Sequence, residues 1–144
     1  MDSRTYEDEL ARTGTVAFPV KGVSMRPLIA AGRDAVLVSA KTGRLKRFDV
    51  GLFKRDGGDF VLHRVLEVLP DGYSFCGDSQ TFCEHVREDQ VLGVMTGLVR
   101  KGRPVDLSGG AYRRYVALWC GPFPARTVLL KVLHKVGVWV PEKR

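Results

Sequence analysis

One serine and one histidine have the settings that nucleophilic catalysis requires. Ser24 stands in "KGVSMRPLI", where a predicted strand leads into the serine, Gly22 permits a close backbone approach and Pro27 forces a turn. A serine hydroxyl becomes a good nucleophile only when a neighbouring base takes its proton. His63 lies in "VLHRVL", where strand alternation places it between two valines and desolvation favours the neutral imidazole of a base. These two residues are therefore candidates for a nucleophile and its general base.

Both residues also have ordinary interpretations, which the residues alone do not exclude. Ser24 could be a simple turn residue, and His63 could be a hydrogen-bonded structural histidine; His85 and His134 have weaker settings as bases. A catalytic imidazole needs a carboxylate that holds its tautomer. The segment "CGDSQTFCEHV" offers two, Asp78 in a tight turn and then Glu84. Either could merely cap a turn, and their spacing does not choose between them.

The elements that must position these residues are short strands. A short helix over residues 4–12 precedes strands in "TVAFPVKG" and "DAVLVSA". The stretch "FDVGLFKRDGGDFVLHRVLEVLPDGYSFCGD" then alternates strands with the turn sequences "DGGD" and "PDG", and "VLGVMTGLVRKG" follows as a strand pair or bent strand. We expect a mainly β fold, with a coiled or barrel-like sheet over residues 14–106 and residues 1–106 as one domain.

The pattern changes after "DLSGG", where helical periodicity begins. The stretches "AYRRYVALWCG" and "ARTVLLKVLHKVGVW" predict helices separated by "GPFP", so residues 107–144 form a basic, amphipathic helical extension. Two interpretations stay open. The extension either covers the core of the β domain or rests on a membrane surface through residues 112–144.

Charge and composition limit the partners. The 144 residues carry a net charge of +7, with 44% hydrophobic and 27% charged residues, which predicts a folded domain that could attract nucleic acid, an anionic membrane or an acidic protein. The sequence contains neither an RNA-recognition motif nor a helix-turn-helix, and its aromatic residues do not interleave with its basic ones. We therefore expect no specific nucleic-acid partner.

Cysteine usage indicates a reducing compartment. The three cysteines, Cys76, Cys83 and Cys120, are an odd number without a C-x-x-C pair, and Cys76, Cys83 and His85 lack a fourth metal ligand. We expect structural thiols, no metal site and no cofactor. The N-terminus has no apolar stretch of the kind found in signal peptides, and no run of about 18 apolar residues predicts a transmembrane helix. These features predict a cytoplasmic protein, with membrane association as the open alternative.

Four segments in order resemble a known family. The stretches "FPVKGVSMRPLIAAGRDAVLV", "FDVGLFK" with "VLHRVLEV", "FCGDSQ" and "VLGVMTGLVRKG" are similar to the signal peptidase I and SOS-repressor class of serine peptidases over about residues 17–102. One departure is "GRD" at residues 32–34, where the class has "GD". Neither a membrane anchor nor a DNA-binding helix-turn-helix is expected, so the chain resembles a free-standing peptidase domain.

The resemblance implies a mechanism and roles for particular residues. It implies that Ser24 is the nucleophile and that His63, in the place where most bacterial members have a lysine, is the base, as in the archaeal and endoplasmic reticulum branch. It implies that Asp78, or Glu84 as a second candidate, orients the imidazole. Backbone amides near Ser24 would stabilise the oxyanion, with Gly22, Val23 and Met25 forming this part of the site wall.

The implied substrate is an extended, leader-like peptide that docks as an added strand. The alternative is an inactive peptidase fold that binds a peptide or another partner. If the base were instead a lysine, Lys54 on the neighbouring strand would be the first to examine.

Overall fold

The strands form one antiparallel sheet, with helices before and after it in the chain. The computed structural model describes residues 3–135, and for residues 3–5 and His134 only the backbone. The helices and strands are α1 Ser3–Thr13, β1 Thr15–Pro19, β2 Asp34–Ala40, β3 Val50–Lys54, β4 Phe60–Leu69, β5 Gly72–Cys76, β6 Glu84–Arg87, β7 Val91–Arg100, β8 Arg103–Pro104, α2 Gly110–Tyr115 and α3 Phe123–Lys135. This confirms the prediction of a mainly β fold with helices before and after the strands.

The strands pair in the order β1-β2-β7-β3-β4-β5-β6, and the short β8 pairs with β7. All pairings are antiparallel. The "DGGD" and "PDG" sequences form the β3–β4 and β4–β5 turns, as predicted, because aspartate and glycine fit the backbone angles of tight turns. The "VLGVMTGLVRKG" segment forms β7 and the turn to β8, which combines both predicted alternatives: β7 shifts register after Leu37 of β2, and a hairpin follows.

Two hydrophobic clusters pack against the sheet. On β3, Leu52 belongs to a cluster that also contains Met25, Ile29 and Val38, while its neighbour Phe53 belongs to a second cluster around Val65, Tyr73 and Phe75. Because adjacent strand residues point to opposite faces, β3 is buried on both. This explains why "VGLF" is continuously apolar rather than alternating.

The helices after the strands begin where the glycine pair of "DLSGG" predicts. Helix α2 continues into a π-helical turn over Val116–Cys120, and α3 starts at Phe123, after "GP". The predicted continuation of the helical pattern through Val136 and Val140, together with Trp139, lies outside the described residues. Among the residues described, no single helix is long and apolar enough to cross a membrane. Only the two helices Gly110–Cys120 and Phe123–Leu133 taken together, with an 80° bend between them, have the length and composition that a membrane-spanning helix needs.

Candidate active site

Ser24 lies in the connection between β1 and β2, on a turn that the core holds in place. Gly22 has a φ of +79°, a left-handed conformation that favours glycine. The N–H of Arg26 donates to the carbonyl of Val23 at 3.2 Å, and the N–H of Ile29 to that of Met25 at 3.0 Å. Met25 and Ile29 are buried in the first hydrophobic cluster. The backbone on both sides of the serine is therefore fixed by packing and hydrogen bonds.

The departure "GRD" has a structural explanation. The buried carboxylate of Asp34 accepts a hydrogen bond from the N–H of Ala30 and two from the guanidinium of Arg33, and that guanidinium also donates to the carbonyl of Leu28. The Arg33 side chain lowers the pKa of Asp34 despite its burial. The arginine therefore closes the turn that follows the serine rather than disturbing it.

A second segment, residues 77–80 after β5, docks directly on the serine. The N–H of Ser79 donates to the carbonyl of Ser24 at 2.9 Å, and the hydroxyl of Ser79 donates to the carbonyl of Val23 at 2.8 Å. A Cβ at Gly77 would lie 2.4 Å from the carbonyl oxygen of Ser24, so only glycine permits this approach. The "CGDS" segment thus supports the Ser24 backbone, a role that the sequence did not reveal.

Ser24 and His63 meet, although 38 residues separate them in the chain. Nε2 of His63 lies 3.0 Å from Oγ of Ser24. Only 3% of His63 is exposed, and burial lowers the pKa of its imidazole to about 4. The neutral form expected from the sequence therefore dominates at neutral pH. With Nε2 unprotonated, the Ser24 hydroxyl donates to it, as general-base activation of a serine requires.

The other imidazole nitrogen faces Glu84. Nδ1 of His63 is buried without a hydrogen-bond partner among the described residues, and Oε1 of Glu84 lies 4.0 Å from it. This separation exceeds a hydrogen bond, yet the Glu84 charge acts to raise the pKa of His63. Glu84 is held by Arg55, whose guanidinium donates to both of its oxygens at 2.7 and 3.0 Å. An Nδ1 proton would therefore point at a carboxylate already fixed in place.

Asp78, the other carboxylate considered, does not contact His63. Both of its oxygens accept hydrogen bonds from the buried guanidinium of Arg64, at 2.9 and 3.0 Å, and the Tyr115 hydroxyl donates to Oδ2. The indole N–H of Trp119 donates to the Asp78 carbonyl. His63 and Arg64 are neighbours on β4 and point to opposite faces, so the carboxylate that pairs with Arg64 cannot reach the imidazole. The expectation that Asp78 orients His63 is therefore not met by this geometry.

The two residues open into a cleft of about 520 Å³. Its apolar lining comes from both sides of the site: Tyr6, Phe18, Val20, Met25, Leu52, Phe60, Val61, Leu62 and Phe82. Met25 thus forms part of the wall, as expected. No backbone carbonyl in the described part of the chain accepts from the N–H groups of Ser24 and Met25. These two donors remain available beside the Ser24 hydroxyl.

Other groups considered from sequence lie elsewhere. Nζ of Lys54 is 2.8 Å from the carboxylate of Glu7, and Lys54 does not line the cleft. His85 is exposed and contacts Asp71 at 3.2 Å. Across residues 3–135, apart from the side chains left undescribed, no group of three or more histidine, cysteine, aspartate or glutamate side chains could hold a metal ion.

Sequence reasoning missed Arg55 and the strand that positions Glu84. No pattern in the sequence predicts a strand at Glu84–Arg87, which forms β6 and pairs with β5. Val86 is the only apolar residue of that strand, so its alternation is too short to detect. Comparison of the whole chain with protein-family models and with curated proteins found no match.

Proposed function

We propose that this protein is a serine hydrolase of the signal peptidase and SOS-repressor-like class. More particularly, we propose a serine endopeptidase that cleaves an extended, leader-like peptide by Ser-His acyl transfer. The observation that carries the proposal is the 3.0 Å contact between Oγ of Ser24 and Nε2 of a buried His63, two residues that line one cleft. The order of the "GVSMRP", "HRV" and "CGDS" segments supports the same class.

In the proposed mechanism, His63 removes the Ser24 proton as Oγ attacks the peptide carbonyl carbon. The imidazolium then gives that proton to the leaving amine, and the same base activates water to hydrolyse the acyl-enzyme. The free N–H groups of Ser24 and Met25 are the donors proposed for the oxyanion. Glu84 stabilises the imidazolium, because an Nδ1–H that becomes cationic is attracted to a carboxylate 4.0 Å away.

A strand edge beside the site suggests how the peptide binds. The first part of β4, Phe60–His63, pairs with β3, whereas pairing with β5 starts only at Arg64. Residues 60–63 line the cleft, and so do Phe18 and Pro19 of the sheet-edge strand β1. An extended substrate would add to this edge through main-chain hydrogen bonds. Small residues before the scissile bond are the first specificity to test.

The test compares the native host with hosts that carry Ser24→Ala or the control Ser108→Ala, an exposed serine outside the cleft. Peptide mass spectrometry should find at least one uncut precursor in the Ser24→Ala host only. The purified wild-type protein should then cleave that precursor, and His63→Ala should not, while His85→Ala retains activity. Backbone N-methylation of the precursor near its scissile bond should raise KM, because it removes main-chain donors.

The opposing outcome defines the alternative function. If wild type and Ser24→Ala yield the same peptides, and both bind a precursor with the same affinity without cutting it, the protein is a binding module and the peptidase proposal is wrong. If activity survives His63→Ala but is lost in Lys54→Ala, the base is a lysine and only the assignment of His63 fails.

We also propose that the helical extension rests on an anionic membrane surface. Four of its apolar side chains are exposed despite their size: Leu118 at 75%, Val128 at 64%, Val132 at 53% and Leu129 at 45%. Arg113, Arg114, Lys131 and Lys135 are exposed on the same two helices, and residues 107–135 contain no acidic residue. Apolar side chains flanked only by cations are typical of segments that bind anionic lipid interfaces.

Vesicle sedimentation tests this contact. We expect binding to vesicles that contain phosphatidylserine, a decline with added salt, and little binding to phosphatidylcholine alone. Leu118→Ser and Val128→Ser should each weaken binding by about tenfold, because each removes an apolar side chain from the interface. Val68→Ser, at a 39% exposed valine on β4, is the control. Unchanged binding in both helix variants would show that the extension does not insert.

A further inference from the structure

Two of the three cysteines lie at adjoining ends of neighbouring strands: Cys76 ends β5, and Cys83 directly precedes β6. The β5–β6 register pairs Ser74 with His85 and Phe75 with Glu84, so the next pair in this register is Cys76 and Cys83. Directly opposed residues of antiparallel strands have Cα atoms about 4.5–5.5 Å apart, within the range that a disulfide spans. The two thiols are free.

The two thiols differ in access. Cys76 is fully buried, and its Sγ accepts a hydrogen bond from Nη2 of Arg126 at 3.2 Å. Arg126 is itself buried, and its Nε and Nη1 have no hydrogen-bond partner among the residues described. Cys83 is partly exposed. An oxidant in solution therefore reaches Cys83 first, whereas Cys76 is shielded from solvent and lies beside the Arg126 guanidinium.

The thiol pKa values of Cys83 and Cys76 also differ. The hydrogen bond from Cys76 and, to a smaller extent, one from Ser74 and the Arg126 charge lower the pKa of the Cys83 thiol to about 6. The hydrogen bond to Cys83 and burial raise the pKa of Cys76. Cys120 is buried, and this burial raises the pKa of its thiol to about 12. At neutral pH, Cys83 is the thiolate of the set, and thiolates are the form that reacts with oxidants.

We propose that Cys76 and Cys83 form a reversible disulfide in response to hydroperoxides, which joins the two ends of the segment over residues 77–82. This segment carries Gly77 and Ser79, the two residues that contact the Ser24 backbone, and the strand that begins after it carries Glu84. The bridge would therefore fix the support of the serine and the position of the carboxylate together. The inference concerns sulfur chemistry and does not depend on the proposed peptidase activity.

One hydroperoxide molecule oxidises one Cys76–Cys83 pair to the disulfide. The Cys83 thiolate attacks a peroxide oxygen, so that an S–O bond forms, the O–O bond breaks and hydroxide leaves; the sulfur is oxidised and the peroxide reduced. The Cys76 sulfur then attacks the sulfenic sulfur of Cys83, an S–S bond forms and the S–O bond breaks. The Cys76 proton leaves with the oxygen as water. A dithiol reductant reverses the bridge by thiol–disulfide exchange.

The test is peptide mapping of the full chain after treatment with hydrogen peroxide at pH 7. We expect a Cys76–Cys83 linked peptide as the main product, Cys120 still a free thiol, and complete return on addition of dithiothreitol. In the oxidised chain, amide hydrogen exchange over residues 77–82 should be slower than in the reduced chain, because a closed loop has fewer open conformations. Before oxidation, Cys83 should alkylate at least about tenfold faster than Cys120.

Variants identify the order of the steps. Cys83→Ser, at a partly exposed site, should fold and form no linked peptide. Cys76→Ser should leave Cys83 as a sulfenic acid that dimedone labels, and Cys120→Ser should give the wild-type yield of bridge. The proposal is overturned if wild-type Cys83 accumulates as sulfinic acid or pairs between molecules while Cys76 stays reduced. It is equally overturned if Cys83→Ser consumes peroxide as fast as wild type.

Discussion

Two carboxylate–arginine pairs lie on either side of His63, and they differ in burial and in what they contact. The side chains of Asp78 and Arg64 are both 0% exposed, and those of Glu84 and Arg55 are 29% and 42% exposed. Asp78 is enclosed by protein donors, whereas Glu84 faces the unpartnered nitrogen of the imidazole. The segment "CGDSQTFCEHV" carries both carboxylates, but Asp78 is enclosed with Arg64 in the fold, whereas Glu84 and Arg55 are partly exposed beside the imidazole.

Burial explains the difference. Removing one partner of a buried ion pair leaves an uncompensated charge in a low-dielectric interior, which is strongly destabilising. A pair that water screens contributes little to stability, but its charge can still act on a neighbouring titratable group. Burial lowers the pKa of His63 most; among the charges, Glu84 raises this pKa, Arg55 lowers it, and Asp78 raises it by less than Glu84 does.

The largest effect should follow from Asp78→Ala. The variant leaves the fully buried guanidinium of Arg64 without its carboxylate partner. We therefore expect the free energy of unfolding to fall by about 3–5 kcal/mol. Urea unfolding followed by tryptophan fluorescence measures the loss, and Trp119, which donates to the Asp78 carbonyl, lies close enough to report it. The matched control is Asp71→Ala, at an exposed carboxylate that pairs with His85, which should change stability by less than about 0.5 kcal/mol. Equal free energies of unfolding in the two variants would show that Asp78 does not stabilise the fold.

Tyr115→Phe should have a smaller effect at the same pair. It removes one hydroxyl donor to the Asp78 carboxylate and leaves both Arg64 contacts, so we expect a loss of about 1.5–3 kcal/mol in the same unfolding measurement. Burial and the Asp78 charge raise the pKa of Tyr115, so the hydroxyl remains a donor throughout the stable pH range. If Tyr115→Phe is as stable as wild type while Asp78→Ala is not, the hydroxyl contributes nothing beyond the ion pair.

Glu84→Gln tests the other pair, through catalysis rather than stability. Under the proposed mechanism, loss of the charge beside Nδ1 leaves the imidazolium unsupported, and we expect kcat to fall about 10- to 100-fold with KM little changed. The unfolding midpoint should stay close to wild type, because the pair with Arg55 is solvent-screened. The control is Glu67→Gln, which removes a β4 carboxylate outside the cleft. A kcat equal to that of Glu67→Gln would show that His63 works without a carboxylate partner.

Most strand positions and two of the turns could be predicted from the sequence, whereas the pairing of Ser24 with His63 was implied only by the family resemblance. Strand alternation around His63 and the "DGGD" and "PDG" turns are local signals, and each depends only on residues close in the chain. The setting of Ser24 between a glycine and a proline is likewise local. The prediction that His63 is desolvated and neutral agrees with its lowered pKa.

The choice of carboxylate could not be predicted, because it depends on which strand face each group reaches. Arg64 follows His63 directly, and nothing in "HRV" shows that the arginine, rather than the histidine, takes Asp78. The position of Glu84 depends on β6, a strand with one apolar residue whose register is set by pairing with β5. Long-range pairing of this kind leaves no periodic pattern in the chain.

Arg55→Met has the smallest expected effect, and it tests whether the Arg55 charge shifts the pKa of His63. Under the proposed mechanism, catalysis needs neutral His63, so kcat/KM should fall as pH drops through the imidazole pKa, which burial lowers to about 4. Arg55 lowers that pKa through its charge; removing it should move the acid limb of the profile to higher pH, by less than about one unit. Glu84→Gln should move the limb the opposite way, because Glu84 raises the pKa.

The control for Arg55→Met is Arg47→Met, since Arg47 stacks over Phe48 and does not line the cleft. Its acid limb should coincide with that of wild type. Shifts of the same sign in Arg55→Met and Glu84→Gln would mean that the limb reports a group other than His63. Opposite shifts, with Arg47→Met unmoved, would tie the partly exposed pair to the imidazole through charge alone, because neither variant removes a group that touches the Ser24 hydroxyl.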